Sequence, residues 1–177
     1  MNDYISIPGV RLINYSFFSD LRGVFKKTFN ATLLKENQIQ FNVRESYITT
    51  SKKNVLRGMH FQSPPYDQDK IVSCIEGEVI DVIVDLRKES SAYKKVNSFN
   101  LIDKNPAFLF LPKGIAHGFI SMSEKSQMIY FLNNEYQPDY DDGILWSSID
   151  FDWQINNPIM SERDKLHQPL THFESPF

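Results

Sequence analysis

Residues 56–87, LRGMHFQSPPYDQDKIVSCIEGEVIDVIVDLR, decide the architecture. From Val79 to Leu86 the even positions Ile80, Val82, Val84 and Leu86 are apolar while Asp81 and Asp85 punctuate the odd ones, and a period of two is the pattern of a half-buried strand. Glu76-Gly77 ahead of it predicts a hairpin turn. In LRGMHFQ, Arg57 and His60 are three apart and on a regular strand would point to opposite faces. A bulge or kink at Gly58 would let both reach one cavity. A histidine, two cations (Arg57 and Lys70) and a carboxylate-bearing loop thus lie between strands apolar enough to be core, which reads as a catalytic wall inside a small β-barrel.

The flanking sequence continues the strand pattern. Residues 4–18, YISIPGVRLINYSFF, read as two short strands broken at Pro8-Gly9. In SDLRGVFKKTF, Asp20 and Gly23 bound a turn that presents Arg22, and Phe25, Lys27 and Phe29 recur at strand spacing. NATLLKENQIQF predicts the one short helix, with Thr32 as its cap and Leu33 and Leu34 for docking. FNVRESYITT, SSAYKKVNSFNLI, NPAFLFLPKGIAHGFISM and SQMIYFLNNEYQPDY are strand-like, and the last sets Met128, Tyr130 and Leu132 on one face. From Asp141 onward periodicity is lost, as in an irregular tail laid over a barrel. Many short strands cut by Gly and Pro, with almost no helix, predict an all-β jelly roll or related barrel over residues 1–177.

At 177 residues the chain suits one domain that buries on the order of 70% of the surface its unfolded form exposes. A formal charge of -3 argues against a nucleic-acid or anionic-membrane partner, so phosphate recognition has to come from a few placed cations. The lone Cys74, in the apolar run IVSCI, reads as packing. No apolar run approaches the roughly 18 residues of a membrane span, and MNDYISIPGV lacks the basic and apolar regions of a secretion signal, so a soluble cytoplasmic protein is expected.

Of the four histidines, only His60 and His117 lie in strand-forming surroundings. Either reads as a hydrogen-bonded core residue or as a site residue. Arg57 and Lys70 weigh toward a site at His60, because burying cations beside an imidazole is costly unless an anion or developing negative charge occupies the cavity. Such a site suits phosphate and enolate. Tyr130 reads either as packing or as chemistry, and Asp164, in SERD, as a surface residue. LPKGIAHGF has a Pro-x-Gly-x-x-His spacing that resembles the second cupin motif, yet where a metal-binding cupin needs His-x-His this chain has His60-Phe61-Gln62, so no bound metal is expected.

Taken in order, LRGMHFQ, the Lys70 loop, GEVIDVIVDLR, LPKGIAHGF, MIYF, GILW and SERD resemble the dTDP-4-dehydrorhamnose 3,5-epimerase family, from about Arg22 to Asp164. The resemblance implies a cupin-type jelly roll, usually a homodimer, without metal or redox cofactor, acting on a nucleotide-diphosphate 4-keto sugar. It implies His60 as base, Asp164 as its orienting carboxylate, Lys70 as oxyanion stabiliser and Tyr130 as acid on the other face. Arg22 and Arg57 would hold the diphosphate, Phe25 and Tyr136 would flank the nucleotide, and His117 would sit near the sugar.

The chain departs from the family pattern at Lys27, where a glutamate is usual, and at Glu45 and Tyr47, which replace Gln-x-Asn. Because lysine donates and cannot accept, Lys27 and Glu45 together suit cytosine better than thymine, which opens the alternative of a CDP-linked 4-keto-dideoxysugar 5-epimerase. A solvated Lys27 and a surface-paired Glu45 are the plain counter-reading. A 3,4-ketoisomerase of the same superfamily and a non-catalytic sugar-nucleotide-binding cupin complete the alternatives.

Overall fold

The computed structural model describes residues 6–177. The strands are β1 (Arg11–Asn14), β2 (Phe17–Asp20), β3 (Gly23–Lys26), β4 (Glu45–Lys52), β5 (Leu56–Gln62), β6 (Lys70–Glu76), β7 (Glu78–Asp85), β8 (Val96–Ile102), β9 (Ala107–Leu111), β10 (Ile115–Ser121), β11 (Lys125–Leu132) and β12 (Asp141–Gly143). Two short helices, α1 (Ala31–Glu36) and α2 (Glu162–Lys165), accompany them. The strands form two five-stranded antiparallel sheets, in the orders β1-β9-β6-β11-β4 and β12-β5-β10-β7-β8, with β2 and β3 as a separate hairpin. This is the cupin-type jelly roll expected from the sequence.

Alternation along the strands builds three apolar layers. Val72, Cys74, Leu109, Leu111, Met128 and Tyr130 of the first sheet meet Val79, Ile83, Phe99, Ile115 and Phe119 of the second between the sheets. On the outer face of the first sheet, Leu34 of α1 packs with Ile13, Tyr15, Ile71 and Phe108. The outer face of the second carries Leu56, Met59, Phe61, Val82 and Val84 and is covered by Ile149, Trp153, Leu170 and Phe173 of the C-terminal segment. That segment is the expected irregular tail with two corrections: its first residues, Asp141–Gly143, pair with β5 as β12, and α2 is a second helix beside the one expected. No helix among the described residues is long and apolar enough to cross a membrane.

Several local expectations are corrected. β7 is buried on both faces rather than half-buried, because each aspartate has an interior partner: Asp81 meets His117, and Asp85 is held by Arg87 and Ser90. Glu76-Gly77 is a corner between sheets, not a hairpin, since β6 and β7 belong to different sheets. Gly77 has φ +78, a Cβ there would lie 2.4 Å from the Lys125 carbonyl oxygen, and Asp103 Oδ2 accepts its N–H at 2.9 Å. α1 is capped by Asn30, whose Oδ1 accepts from Thr32 and Leu33 N–H, and not by Thr32. The strand within FNVRESYITT begins at Glu45. Pro8-Gly9 is a turn ahead of β1, and Tyr4 and Ile5 of the expected first strand lie outside the described residues.

Candidate active site

β5 and β10 pair with His117 opposite His60 and Phe119 opposite Arg57, so three residues of β5 span two of β10. The extra residue is a bulge at Gly58. Only glycine fits there: φ is +145, and a Cβ would lie 2.5 Å from Gly118 Cα. The bulge turns Arg57 and His60 to the same side, and both line a cleft of about 560 Å³ together with Ile159, Ser161, Arg163 and Asp164.

Asp164 reaches this cleft from α2. Ser161 caps that helix by accepting from the Asp164 N–H at 3.1 Å, the short polar cap that SERD encodes. The Asp164 carboxylate is buried, bonds His60 Nε2 at 2.9 Å through Oδ1, and accepts from the Gly58 N–H at 3.4 Å through Oδ2. Burial pushes its pKa up, but the bond to His60, the His60 charge and the bonds from Ser161 and Gly58 outweigh that and hold it at about 2. A permanent carboxylate on Nε2 keeps the proton of a neutral His60 on that nitrogen, which leaves Nδ1 with the basic lone pair. The His60 side chain is 29% exposed and therefore accessible to a ligand.

The first sheet supplies the facing groups. Lys70, on β6, is buried with Nζ donating to the His60 carbonyl oxygen at 3.2 Å. Burial drives its pKa down to about 8, with Asp141 and Asp81 opposing the drop. Tyr130, on β11, is buried, stacked on Tyr47 at 4.6 Å and edge-on to His117 at 6.1 Å. Burial, then the neighbouring Tyr47 and Asp81, push its phenol well above 10, so it is protonated at neutral pH. His117 Nε2 bonds Asp81 Oδ2 at 2.7 Å in full burial.

The remaining expected site residues are spread. Tyr136 lies half-exposed beyond β11, and its backbone N–H is accepted by Glu45 Oε2 at 2.7 Å. Arg22, at the tip of the β2–β3 hairpin, is 90% exposed and paired with Asp20 at 2.6 Å. Phe25 lies on the same hairpin, and Lys27 lines a cavity of about 410 Å³ with Asn14, Tyr15 and Glu36. Arg22, Phe25 and Lys27 therefore do not join His60 within one chain, and within one chain Lys27 and Glu45 have different neighbours.

Two further residues belong to this region without any local sign of it in the sequence. Asp81 occupies the polar side of a period-two pattern, which ordinarily faces solvent. His167 lies outside any strand, yet its ring stands 5.9 Å from that of His60, next to Gly143.

The model of the dTDP-4-dehydrorhamnose 3,5-epimerase family matches residues 4–172. The chain belongs to this family. It is thus an isomerase, an epimerase of nucleotide-linked sugars. It is 40% identical over 163 residues to the dTDP-4-dehydrorhamnose 3,5-epimerase of Shigella flexneri, covering 89% of each chain. The Methanothermobacter thermautotrophicus enzyme of the same name is 37% identical, with 93% of this chain and 91% of that one covered. Among solved structures, the Bacillus anthracis epimerase with TDP and pyrophosphate bound superposes with a TM-score of 0.88 at 31% identity, covering 92% of this chain and 94% of that one. The Legionella pneumophila epimerase in complex with dTDP-4-keto-L-rhamnose gives 0.89 at 29% identity, covering 96% and 92%.

Proposed function

We propose that this protein inverts carbons 3 and 5 of a dTDP-linked 4-keto-6-deoxyhexose in deoxysugar biosynthesis. The keto group acidifies the protons on its neighbouring carbons, so a base can remove one to leave an enolate that is reprotonated from the opposite face. The observation that carries this reading is that His60, bonded to Asp164, lies on one sheet while Tyr130 and the buried Lys70 lie on the other, Lys70 donating to the His60 carbonyl oxygen. His60 takes the proton through Nδ1, Asp164 stabilises the imidazolium, Lys70 compensates the oxyanion, and Tyr130 returns a proton. Arg57 binds diphosphate, and His117 with Asp81 backs the sugar pocket. The thymidine base is favoured because the relatives are named for dTDP sugars. Incubation with dTDP-4-keto-6-deoxyglucose in deuterated water, followed by NMR, is expected to place deuterium at carbons 3 and 5. Incorporation at neither carbon would overturn the proposal.

The homodimer completes the site in this reading. Phe18, Leu21, Val24 and Phe25 expose an apolar hairpin, and among the described residues β4 is an unpaired sheet edge bearing exposed Tyr47 and Ile48, features that proteins ordinarily cover. A second copy placing its hairpin against β4 would cover both and bring Arg22 and Phe25 toward a nucleotide. Light scattering is expected to give twice the chain mass, and Phe18→Asp with Phe25→Asp to give monomers with weakened dTDP binding. A monomeric native protein would refute it.

Lys70 gives the pH dependence a sign. Its ammonium is the useful form and loses its proton at about pH 8, so kcat/KM is expected to fall above that point, approaching tenfold per pH unit. Because its pKa is lowered from 10.5, the buried charge opposes folding at neutral pH, by roughly 3 kcal/mol at about 1.4 kcal/mol per pH unit, and this opposition fades between pH 8 and 10.5. Lys70→Met should therefore raise the Tm at pH 7 while lowering activity. A pH profile flat to pH 10 would contradict the assignment.

A further inference from the structure

His60, Asp164 and His167 each offer one ligand atom, and these atoms all lie within 4.8 Å of one another. Asp164 Oδ1 is 2.9 Å from His60 Nε2 and 3.9 Å from His167 Nε2. The ligands of tetrahedral zinc, with bonds of about 2.0–2.1 Å, sit about 3.3 Å apart, so modest side-chain shifts close the set. The His167 side chain is only 9% exposed, and its Nε2 is a buried polar atom with no hydrogen-bond partner among the described residues. A buried ring nitrogen without a partner is costly, and its neighbours here are the other two ligands. On the far side of the same ring, Nδ1 faces Asp142 Oδ1 at 3.7 Å. That distance is too long for a hydrogen bond, and Asp142 Oδ1 accepts from the Gly143 N–H, but a small side-chain rotation would bring the carboxylate onto Nδ1, the usual outer support behind a ligating histidine.

The charges around the cluster are mixed: Asp142 and Asp164 are acidic, while Arg163, paired with Asp141, stands 3.8 Å from Asp164 Oδ1 and Arg57 lines the same cleft, so the imidazoles and the carboxylate, not the net charge, favour a metal. Two imidazoles and a single carboxylate select zinc over magnesium or calcium, which prefer all-oxygen shells.

We propose that His60, Asp164 and His167 form a zinc-binding site whose occupation switches the enzyme off. The switching half rests on the reading of His60 as base; the site itself does not. Zinc on Nε2 displaces the Asp164 hydrogen bond and forces the remaining imidazole proton onto Nδ1, the nitrogen that must accept a proton from the sugar. The metal is thus an inhibitor, and enzyme freed of metal by chelation is the active form.

Calorimetric titration of the chelator-treated protein with zinc chloride tests the site without reference to activity. One zinc per chain is expected, with affinity reduced at least about tenfold in His167→Gln and about 10–100-fold in Asp142→Asn, a surface variant that leaves the core untouched. Turnover should fall in proportion to occupancy, return on chelation, and be insensitive to the same zinc concentration in His167→Gln. Absence of binding, or binding equal in native protein and both variants, overturns the site. Stoichiometric, His167-dependent binding with full residual activity would keep the site and overturn His60 as the base.

Discussion

His60→Asn is expected to abolish both epimerisation and exchange of the sugar protons with solvent, lowering turnover by at least about a hundredfold, the lower range of what a positioned general base contributes. The substitution is informative because of what it keeps. Asparagine is uncharged and close in volume to the proximal part of imidazole; its amide stops short of the Nε2 position, but Asp164 keeps the Gly58 N–H and the Ser161 cap that hold it in place. What disappears is the ring nitrogen lone pair opposite the bonded Nε2. Asp164→Asn should act on the same step more mildly, since an amide permits either tautomer and offers the imidazolium no charge, while the ring stays in place. The measurement is deuterium incorporation under single-turnover conditions beside steady-state rate. A His60→Asn enzyme that exchanges protons at the native rate would return His60 to the wall of the barrel and require a different base.

A residue is legible in this sequence when its partner lies near it in the chain. The strands β10 and β11 are legible because branched and aromatic residues gather in each, Pro112 and Gly114 precede β10, and Met128, Tyr130 and Leu132 share one face of β11. Gly58 is legible as a bulge because a strand interior tolerates glycine poorly unless the backbone bends or another backbone comes close, and both happen there. Asp81 is not legible, because its compensation is His117, 36 positions away, and a carboxylate on alternate positions otherwise means solvent. Asp164 shows both sides. Its helix start is local and encoded in Ser161-x-x-Asp164, but its burial comes from His60, 104 positions away, and only the family resemblance points to it. Gly77 supplies the positive φ of a turn, yet nothing in Glu76-Gly77 distinguishes a hairpin from a corner that changes sheets. His167 is silent in the sequence because its significance lies wholly in which side chains surround it.

Tyr130→Phe is expected to separate the two halves of the reaction. The ring stays stacked on Tyr47 and edge-on to His117, so packing between the sheets is preserved and only the hydroxyl is lost. The site then retains its base, and His60 can still withdraw and return a proton on its own face, so exchange with solvent continues. Inversion needs a proton delivered from the opposite sheet and should fall by roughly 10²–10⁴, the range for a positioned acid. The electrostatics keep Tyr130 protonated at neutral pH but make it a weak acid, so its assignment as donor rests on its place on the sheet opposite His60. Burial beside Tyr47 and Asp81 makes its phenolate unfavourable, so the proton is held until the enolate, steadied by the Lys70 ammonium, draws it. Reprotonation of the phenolate must then be quick, and the raised pKa supplies the drive for it. Comparing the ratio of exchange to inversion in native and variant enzyme is decisive, because a purely structural role would depress both together. An unchanged ratio with both rates near native would make Tyr130 a packing residue and leave the opposite-face proton to be found elsewhere on the first sheet.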